Sequence, residues 1–165
     1  HLRRARVLIM GGNQDQGIAS LKKLMLNVAA MNREQIDRLM QVLFDLQAIE
    51  KHREAIELFS MLERRQGDIQ LRREILYWMA DSYKALGEHQ TAARIYLKSA
   101  ILPGMKAMDP WAQTARYHAA DELVKAGMQD DARFQYNLLL KVTKDPSRRT
   151  VIRNRLQQIW LAPVP

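Results

Sequence analysis

Histidine and acidic residues are the side chains of this 165-residue sequence that could carry out catalysis or bind a metal. The histidines have no ligand spacing such as His-Glu-x-x-His and share no helix face; they are His1, His52, His89 and His118. Acidic residues are paired at Glu54 and Glu57, Asp121 and Glu122, and Asp130 and Asp131. Glycosidases use such pairs, but on a helix they usually form solvated faces. The absence of cysteine excludes disulfides, thiolate metal sites and cysteine nucleophiles. Because no catalytic constellation is present, we expect no enzymatic activity, no metal and no cofactor.

The glycine-rich stretch at residues 11–17 is the other feature that invites a chemical interpretation. A phosphate-binding loop needs a preceding strand and a Gly-Lys-Ser/Thr ending, and this stretch has neither. It is therefore predicted to be a linker, and residues 1–17 a flexible N-terminal segment. The sequence has no apolar run long enough to cross a bilayer. Because it begins at His1 rather than Met, we expect that an upstream signal, anchor or domain preceded it.

The net charge of +8 is concentrated at the two ends of the sequence. Residues 1–23 contain five cationic residues and one acidic residue, and residues 141–155 contain six and one. The second group includes a basic patch, Arg148, Arg149, Arg153 and Arg155, with Trp160 nearby. This patch could contact phosphates or anionic lipid headgroups. The favoured interpretation is a solvated capping helix whose arginine stems cover its own apolar side.

Capping and turn residues divide the rest of the chain into helices. Asn32 with Gln35 forms a capping-box pattern before a helix at about residues 33–49. Asp68, Asp109 and Asp145 are predicted to begin later helices, the last two with a proline directly after them. Gly67, Gly87 and Gly127 are predicted to end helices. The last helix carries Val151, Ile152, Leu156, Ile159 and Trp160 on one predicted side, and residues 162–165 cannot continue it.

An internal repeat connects these helices. A shift of 40 residues places Ala80, Gly87, Ala92 and Tyr96 on Ala120, Gly127, Ala132 and Tyr136. A shift of 37 places Ala55 and Phe59 on Ala92 and Tyr96, with Glu50 where the later units have a turn glycine. A period of this size is typical of helical solenoids, in which each hairpin buries its second face against a neighbour.

The set Ala80, Tyr83, Gly87, Ala92 and Tyr96 resembles the tetratricopeptide repeat family in order and spacing. The resemblance implies an all-α fold: an α-solenoid of about three antiparallel hairpins in a right-handed superhelix. The expected repeats are residues 33–67, 69–104 and 109–145, followed by a capping helix at 146–161, within a repeat domain at 18–161. Residues 18–30 resemble the second helix of a cut repeat, so the array is expected to continue upstream.

The resemblance also implies a binding surface on the first helix of each repeat. Residue by residue, the inner wall of such a superhelix corresponds to Glu74, Tyr77, Asp81 and Lys84 in the second repeat, and to Thr114, Tyr117, Asp121, Val124 and Lys125 in the third. Tyrosine offers a flat contact area with a polar tip, and aspartate accepts hydrogen bonds from a peptide. The alternative is that both tyrosines pack the surfaces between repeats.

The sequence therefore predicts a non-catalytic scaffold that holds a peptide or helix of another protein in a concave groove. A bacterial envelope or secretion assembly is favoured over the cytoplasm. Self-association is a further option. One alternative is that the basic ends bind nucleic acid or an anionic membrane surface. Of these two ligands, nucleic acid is not expected. Another is a regulatory module of a larger enzyme.

Overall fold

The computed structural model describes residues 1–65 and 67–161, and every regular element in this part of the chain is helical. The helices are α1 (Leu2–Met10), α2 (Gln14–Met25), α3 (Arg33–Ala48), α4 (His52–Glu63), α5 (Ile69–Ala85), α6 (His89–Ala100), α7 (Pro110–Lys125), α8 (Gln129–Val142) and α9 (Pro146–Leu161). A short 3₁₀ helix, Val28–Ala30, follows α2. The prediction of an all-α protein is confirmed.

The chain divides into two compact units, His1–Leu86 and Gly87–Pro165. In the first unit α1 packs on α2 and α3, α2 on α4, α3 on α4, and α4 on α5. Its largest fully buried side chains include Leu21, Met25, Leu39, Leu43, Leu46 and Phe59. In the second unit α6 packs on α7, α7 on α8, and α8 on α9. Its core includes Ala120, Leu123, Ala132, Tyr136, Leu139, Ile152 and Ile159.

Several helix ends lie where the capping residues predict. The Asn32 side chain accepts from the amide of Gln35, and the Gln35 side chain accepts from the amide of Asn32, which completes the capping box. The Asp68 carboxylate accepts two amides of α5, and the Asp109 carboxylate accepts two amides of α7. These contacts satisfy donors that the first helical turn leaves unpaired. Gly67 is an exception, because α4 ends earlier, at Glu63.

The expected flexible segment at residues 1–17 is helical instead. α1 and α2 form a packed pair, with Ala5 and Ile9 of α1 buried. Gly17 is also buried, and a Cβ placed on it would lie 2.5 Å from the Ile9 side chain and 2.9 Å from the carbonyl oxygen of Ala5. A glycine in this position lets the two helices approach closely. The helix expected at residues 18–30 begins earlier, at Gln14, ends at Met25 and packs on α1; that the array continues upstream stays a prediction.

The last helix differs from its predicted apolar side. Ile152 and Ile159 are buried, whereas Trp160 is 73% exposed and Val151 also faces solvent. Arg148 and Arg153 are exposed. The prediction for residues 162–165 lies outside the described residues.

The three turns of the repeat share one backbone conformation. Gly87 and Gly127 have φ of 73° and 77°, and Glu50 has φ of 61°. This is the left-handed region, which costs a residue with a Cβ roughly 1 kcal/mol or more. A positive φ therefore recurs at the spacing of 37 and 40 residues that aligns the repeats. At the first of these positions the residue is Glu50, although glycine adopts this φ more easily.

Replacing Glu50 with glycine is expected to raise the free energy of unfolding by about 0.5–1 kcal/mol, because the strain is removed. The substitution also removes the contact between Glu50 Oε2 and His52 Nε2 at 3.1 Å, but the Glu50 side chain is 85% exposed and such pairs contribute little. Urea denaturation followed by circular dichroism measures the difference. Glu54→Gly within α4 is the control and is expected to destabilise the protein by about 1 kcal/mol. A loss of stability in Glu50→Gly would contradict the argument.

Candidate functional site

The predicted groove residues belong to different units. Glu74, Tyr77, Asp81 and Lys84 lie half-buried on α5 of the first unit, and Tyr117, Asp121 and Lys125 lie on α7 of the second unit. The Tyr77 ring stands edge-on to Trp78, with centroids 5.2 Å apart. Burial raises the pKa of Tyr77, and the charge of Asp81 raises it further. Tyr77 is therefore neutral at physiological pH and can donate a hydrogen bond.

In the second unit, Asp121 is engaged by residues of α8 and α9. Its Oδ1 accepts a hydrogen bond from the Tyr136 hydroxyl and lies 3.3 Å from Nε of Arg155. Burial, together with the hydrogen bond to Asp121, raises the pKa of Tyr136. The hydrogen bond to Tyr117 and the charge of Asp121 raise the pKa of Arg155. Tyr117 also stands edge-on to Tyr136, with centroids 6.3 Å apart. These contacts among Tyr117, Asp121, Tyr136 and Arg155 connect α9 to α7 and α8.

A groove lies between α7 and α9, with residues of α8 at its base, and it contains two cavities. Cavity A has a volume of about 350 Å³. Its α7 wall is Gln113, Thr114 and Tyr117, its base is Leu139 and Thr143, and its α9 wall includes Arg148, Val151 and Ile152. Cavity B, of about 220 Å³, is bounded by Asp121, Val124, Lys125, Tyr136, Arg155 and Ile159, among others. The predicted third-repeat positions on α7 therefore line this α7–α9 groove.

The polar groups of cavity A are mostly bonded within the protein. The Thr143 hydroxyl donates to Gln113 Oε1 at 3.2 Å, and Gln113 Nε2 donates to the carbonyl oxygen of Met108 at 2.9 Å. The Thr114 hydroxyl donates to the carbonyl oxygen of Pro110 at 2.9 Å. The cavity is consequently apolar in character, with Leu139, Val151 and Ile152 as its aliphatic lining, and it suits an apolar side chain.

The four arginines of the predicted basic patch separate into two pairs. Arg149 Nη1 donates to the carbonyl oxygens of Leu140 and Thr143, which lie at the end of α8. Arg155 lies against Asp121. Arg148 and Arg153 are exposed, and within the described residues their guanidinium groups have no partner. Half of the patch therefore stabilises the fold, and Arg148 lines cavity A. This division lowers the support for a continuous phosphate-binding surface.

The acidic pair Asp121 and Glu122 is not a solvated face. Glu122 is 1% exposed, and it accepts hydrogen bonds from His89 Nδ1 at 2.6 Å and from Lys125 Nζ at 3.1 Å. In the first unit, His52 Nδ1 lies 3.3 Å from the hydroxyl of the buried Ser82. Each histidine is the first residue of its helix. His52 and His89 are 37 residues apart and Ser82 and Glu122 are 40 apart, which is the repeat register.

We call these two contacts the histidine clasps. They join α4 to α5 in the first unit and α6 to α7 in the second unit. Gln47 Nε2 strengthens the first clasp by donating to the Ser82 hydroxyl at 2.7 Å and to the carbonyl oxygen of Trp78 at 2.8 Å. The residues were visible in the sequence, and the two shifts that align the repeats would have aligned them as well. Equivalent helix pairs in the two units are therefore joined by equivalent contacts.

Within residues 1–65 and 67–161 no group of three or more His, Cys, Asp or Glu residues is placed to hold a metal ion. No helix of these residues combines the length and apolarity needed to cross a membrane. The chain matches no protein-family model, no curated protein and no solved structure. The α7–α9 groove combines an apolar cavity with positions that the repeat pattern predicts for partner binding.

Proposed function

We propose that this chain is a non-catalytic protein-binding module, a TPR-like α-solenoid with a C-terminal capping helix, that holds a peptide or helical segment of another protein. The observation that carries the proposal is the α7–α9 groove of the second unit, with its apolar cavity A and the smaller cavity B further along α7. Pockets that bind apolar side chains in rows are typical of peptide recognition by helical proteins.

The repeated local structure supports the solenoid part of the proposal. The turns at Glu50, Gly87 and Gly127 share a positive φ, and the histidine clasps recur in each unit at the repeat spacing. In a solenoid every hairpin makes the same contact with its neighbour, so the same residues recur at that contact. α9 fits the role of a cap because it ends the described chain and most of its exposed residues are polar, among them Arg153, Asn154 and Gln157.

The spacing of the cavities supports a peptide as the occupant. Thr114 of cavity A and Asp121 of cavity B are seven residues apart on α7. At 1.5 Å per residue this separation is about 10 Å along the helix. A partner helix with apolar residues at positions i and i+7 has the same spacing, and an extended strand covers it in about three residues. Either segment would place one side chain in each cavity.

Selection of random peptides displayed on phage tests this proposal directly. Selected peptides are expected to bind the native chain and to lose about tenfold or more in affinity for Val151→Trp, because the larger side chain fills cavity A. Val151 is 44% exposed, so the substitution is tolerated by the fold. Asn154→Trp, at an exposed position of α9 outside the cavities, is the matched control and is expected to bind as the native chain does. Either a failure to enrich any peptide or equal binding to Val151→Trp would overturn the proposal.

A further inference from the structure

The cations beside cavity A indicate the chemistry of its occupant. Arg148 lines cavity A and also a neighbouring cavity C of about 250 Å³, which Lys144 lines as well. Within the described residues neither the Arg148 guanidinium nor the Lys144 ammonium group has a partner. Two unpaired cationic side chains therefore lie beside an apolar cavity, at the start of α9.

Beside the hydroxyls of Tyr117 and Ser147, the charged groups at this place are two cations and one carboxylate. The one carboxylate in the lining of cavities A and C is Asp145, and its Oδ2 accepts a hydrogen bond from the amide of Arg148 at 3.2 Å. Gln113 and Thr143 are bonded to each other. An occupant that fills cavity A and extends toward cavity C therefore meets a net positive charge, because Lys144 and Arg148 outnumber Asp145.

We propose that the bound segment is acidic, an inference that rests on the proposed function. The segment places an apolar side chain in cavity A and an adjacent Asp or Glu carboxylate against Arg148 and Lys144. A guanidinium binds a carboxylate through two parallel hydrogen bonds, which gives orientation as well as attraction. Arg148 is exposed and lines both cavities, so a carboxylate beside the apolar side chain can reach it. A peptide can carry an apolar side chain and a carboxylate on neighbouring residues, which is the combination that this site accommodates.

Defined peptides test the proposal independently of the phage selection. The probe is a short Gly/Ser peptide with Glu-Phe-Glu at its centre, and the reference peptide carries Gln-Phe-Gln. Binding is followed by chemical shift changes in ¹⁵N-labelled protein, which detect weak complexes. The acidic probe is expected to bind the native chain about tenfold more tightly than the reference does, with shifts around cavity A, and to weaken as salt is added.

Charge reversal supplies the matched pair of variants. Arg148→Glu is expected to lower the affinity of the acidic probe by about tenfold or more, to leave the reference peptide unaffected, and to bind a Lys-Phe-Lys peptide instead. Arg153→Glu makes the same change of net charge at an exposed, unpaired arginine of α9 outside these cavities, and it is expected to bind as the native chain does.

Three results would overturn the acidic preference. The first is equal binding of the acidic and reference peptides. The second is an equal loss of affinity in Arg148→Glu and Arg153→Glu. The third is that duplex DNA or phosphatidylserine vesicles displace the probe, and that both variants reduce this displacement equally. If phage-selected peptides still depend on Val151 while any of these results holds, the proposed function stands and this inference fails. If no peptide binds in either experiment, both fail.

Discussion

Replacing Tyr96 with alanine is expected to lower the free energy of unfolding by about 3–5 kcal/mol, the range found when a fully buried aromatic residue is truncated. Tyr96 lies on α6 with 0% of its surface exposed, and its ring stacks on His118 of α7 with centroids 5.4 Å apart. Ala92 and Ala93, one turn earlier on α6, are also fully buried, so the truncated ring leaves a cavity in a closely packed interior. A domain stable by about 5–15 kcal/mol would lose between about a fifth and all of its stability.

Urea denaturation followed at a helical circular dichroism band measures this loss. The matched control is Phe134→Ala, because Phe134 is an aromatic residue of the next hairpin that is 61% exposed. Its truncation is expected to change stability by no more than about 0.5 kcal/mol. If both substitutions cost the same, Tyr96 would not be the packing residue that the repeat requires. The comparison therefore separates repeat packing from a general dependence on aromatic content.

The helix boundaries could be predicted where they depend on local chemistry. Asn32, Asp68 and Asp109 cap helices because their side chains reach amides only two or three residues away. The hairpin of α1 and α2 could not be predicted in this way. Gly11, Gly12 and Gly17 look alike in the sequence, but Gly12 has φ of 90° in the turn whereas Gly17 lies inside α2 against Ile9. Only the packing of the two helices distinguishes these glycines.

The candidate site shows a similar limit. Periodicity identifies which residues of α7 share a face, and Thr114, Tyr117 and Asp121 do line one groove of the second unit. Periodicity does not identify the partners that other helices supply. Asp121 is held by Tyr136 and Arg155, so its carboxylate is already engaged before any peptide arrives. Whether Tyr77 and Asp81 of the first unit bind a partner stays a prediction.

The arginines of α9 illustrate the same point. Arg148, Arg149, Arg153 and Arg155 are equivalent in charge, and a sequence cannot say which of them the protein itself uses. Arg149 satisfies carbonyl oxygens that the end of α8 leaves without helical partners. That role arises because α9 follows α8 after a short connection. The cations left for a ligand are therefore fewer than the charge count suggests, and their positions are specific.

Replacing Glu122 with alanine is the second substitution with a large expected effect, a loss of about 2–4 kcal/mol. The Glu122 carboxylate is buried and accepts charge-assisted hydrogen bonds from His89 and Lys125. Hydrogen bonds to charged groups contribute more than neutral ones, and breaking a buried pair leaves the remaining partner without compensation. Asp130→Ala is the control, because the Asp130 side chain is 95% exposed and its pair with Arg133 is expected to contribute little. Urea denaturation measures both.

A double-mutant cycle decides whether the histidine clasp causes this loss. If Glu122 acts through His89, the losses of Glu122→Ala and His89→Ala should fail to add by about 1 kcal/mol or more. Additive losses would mean that the carboxylate serves only Lys125 or the packing of α7. Glu122→Ser offers a sharper comparison, because Ser82 is the equivalent residue in the first unit and lies 3.3 Å from His52. A serine that restores part of the lost stability, and restores it only while His89 is present, would show that both units are joined by the same repeated contact.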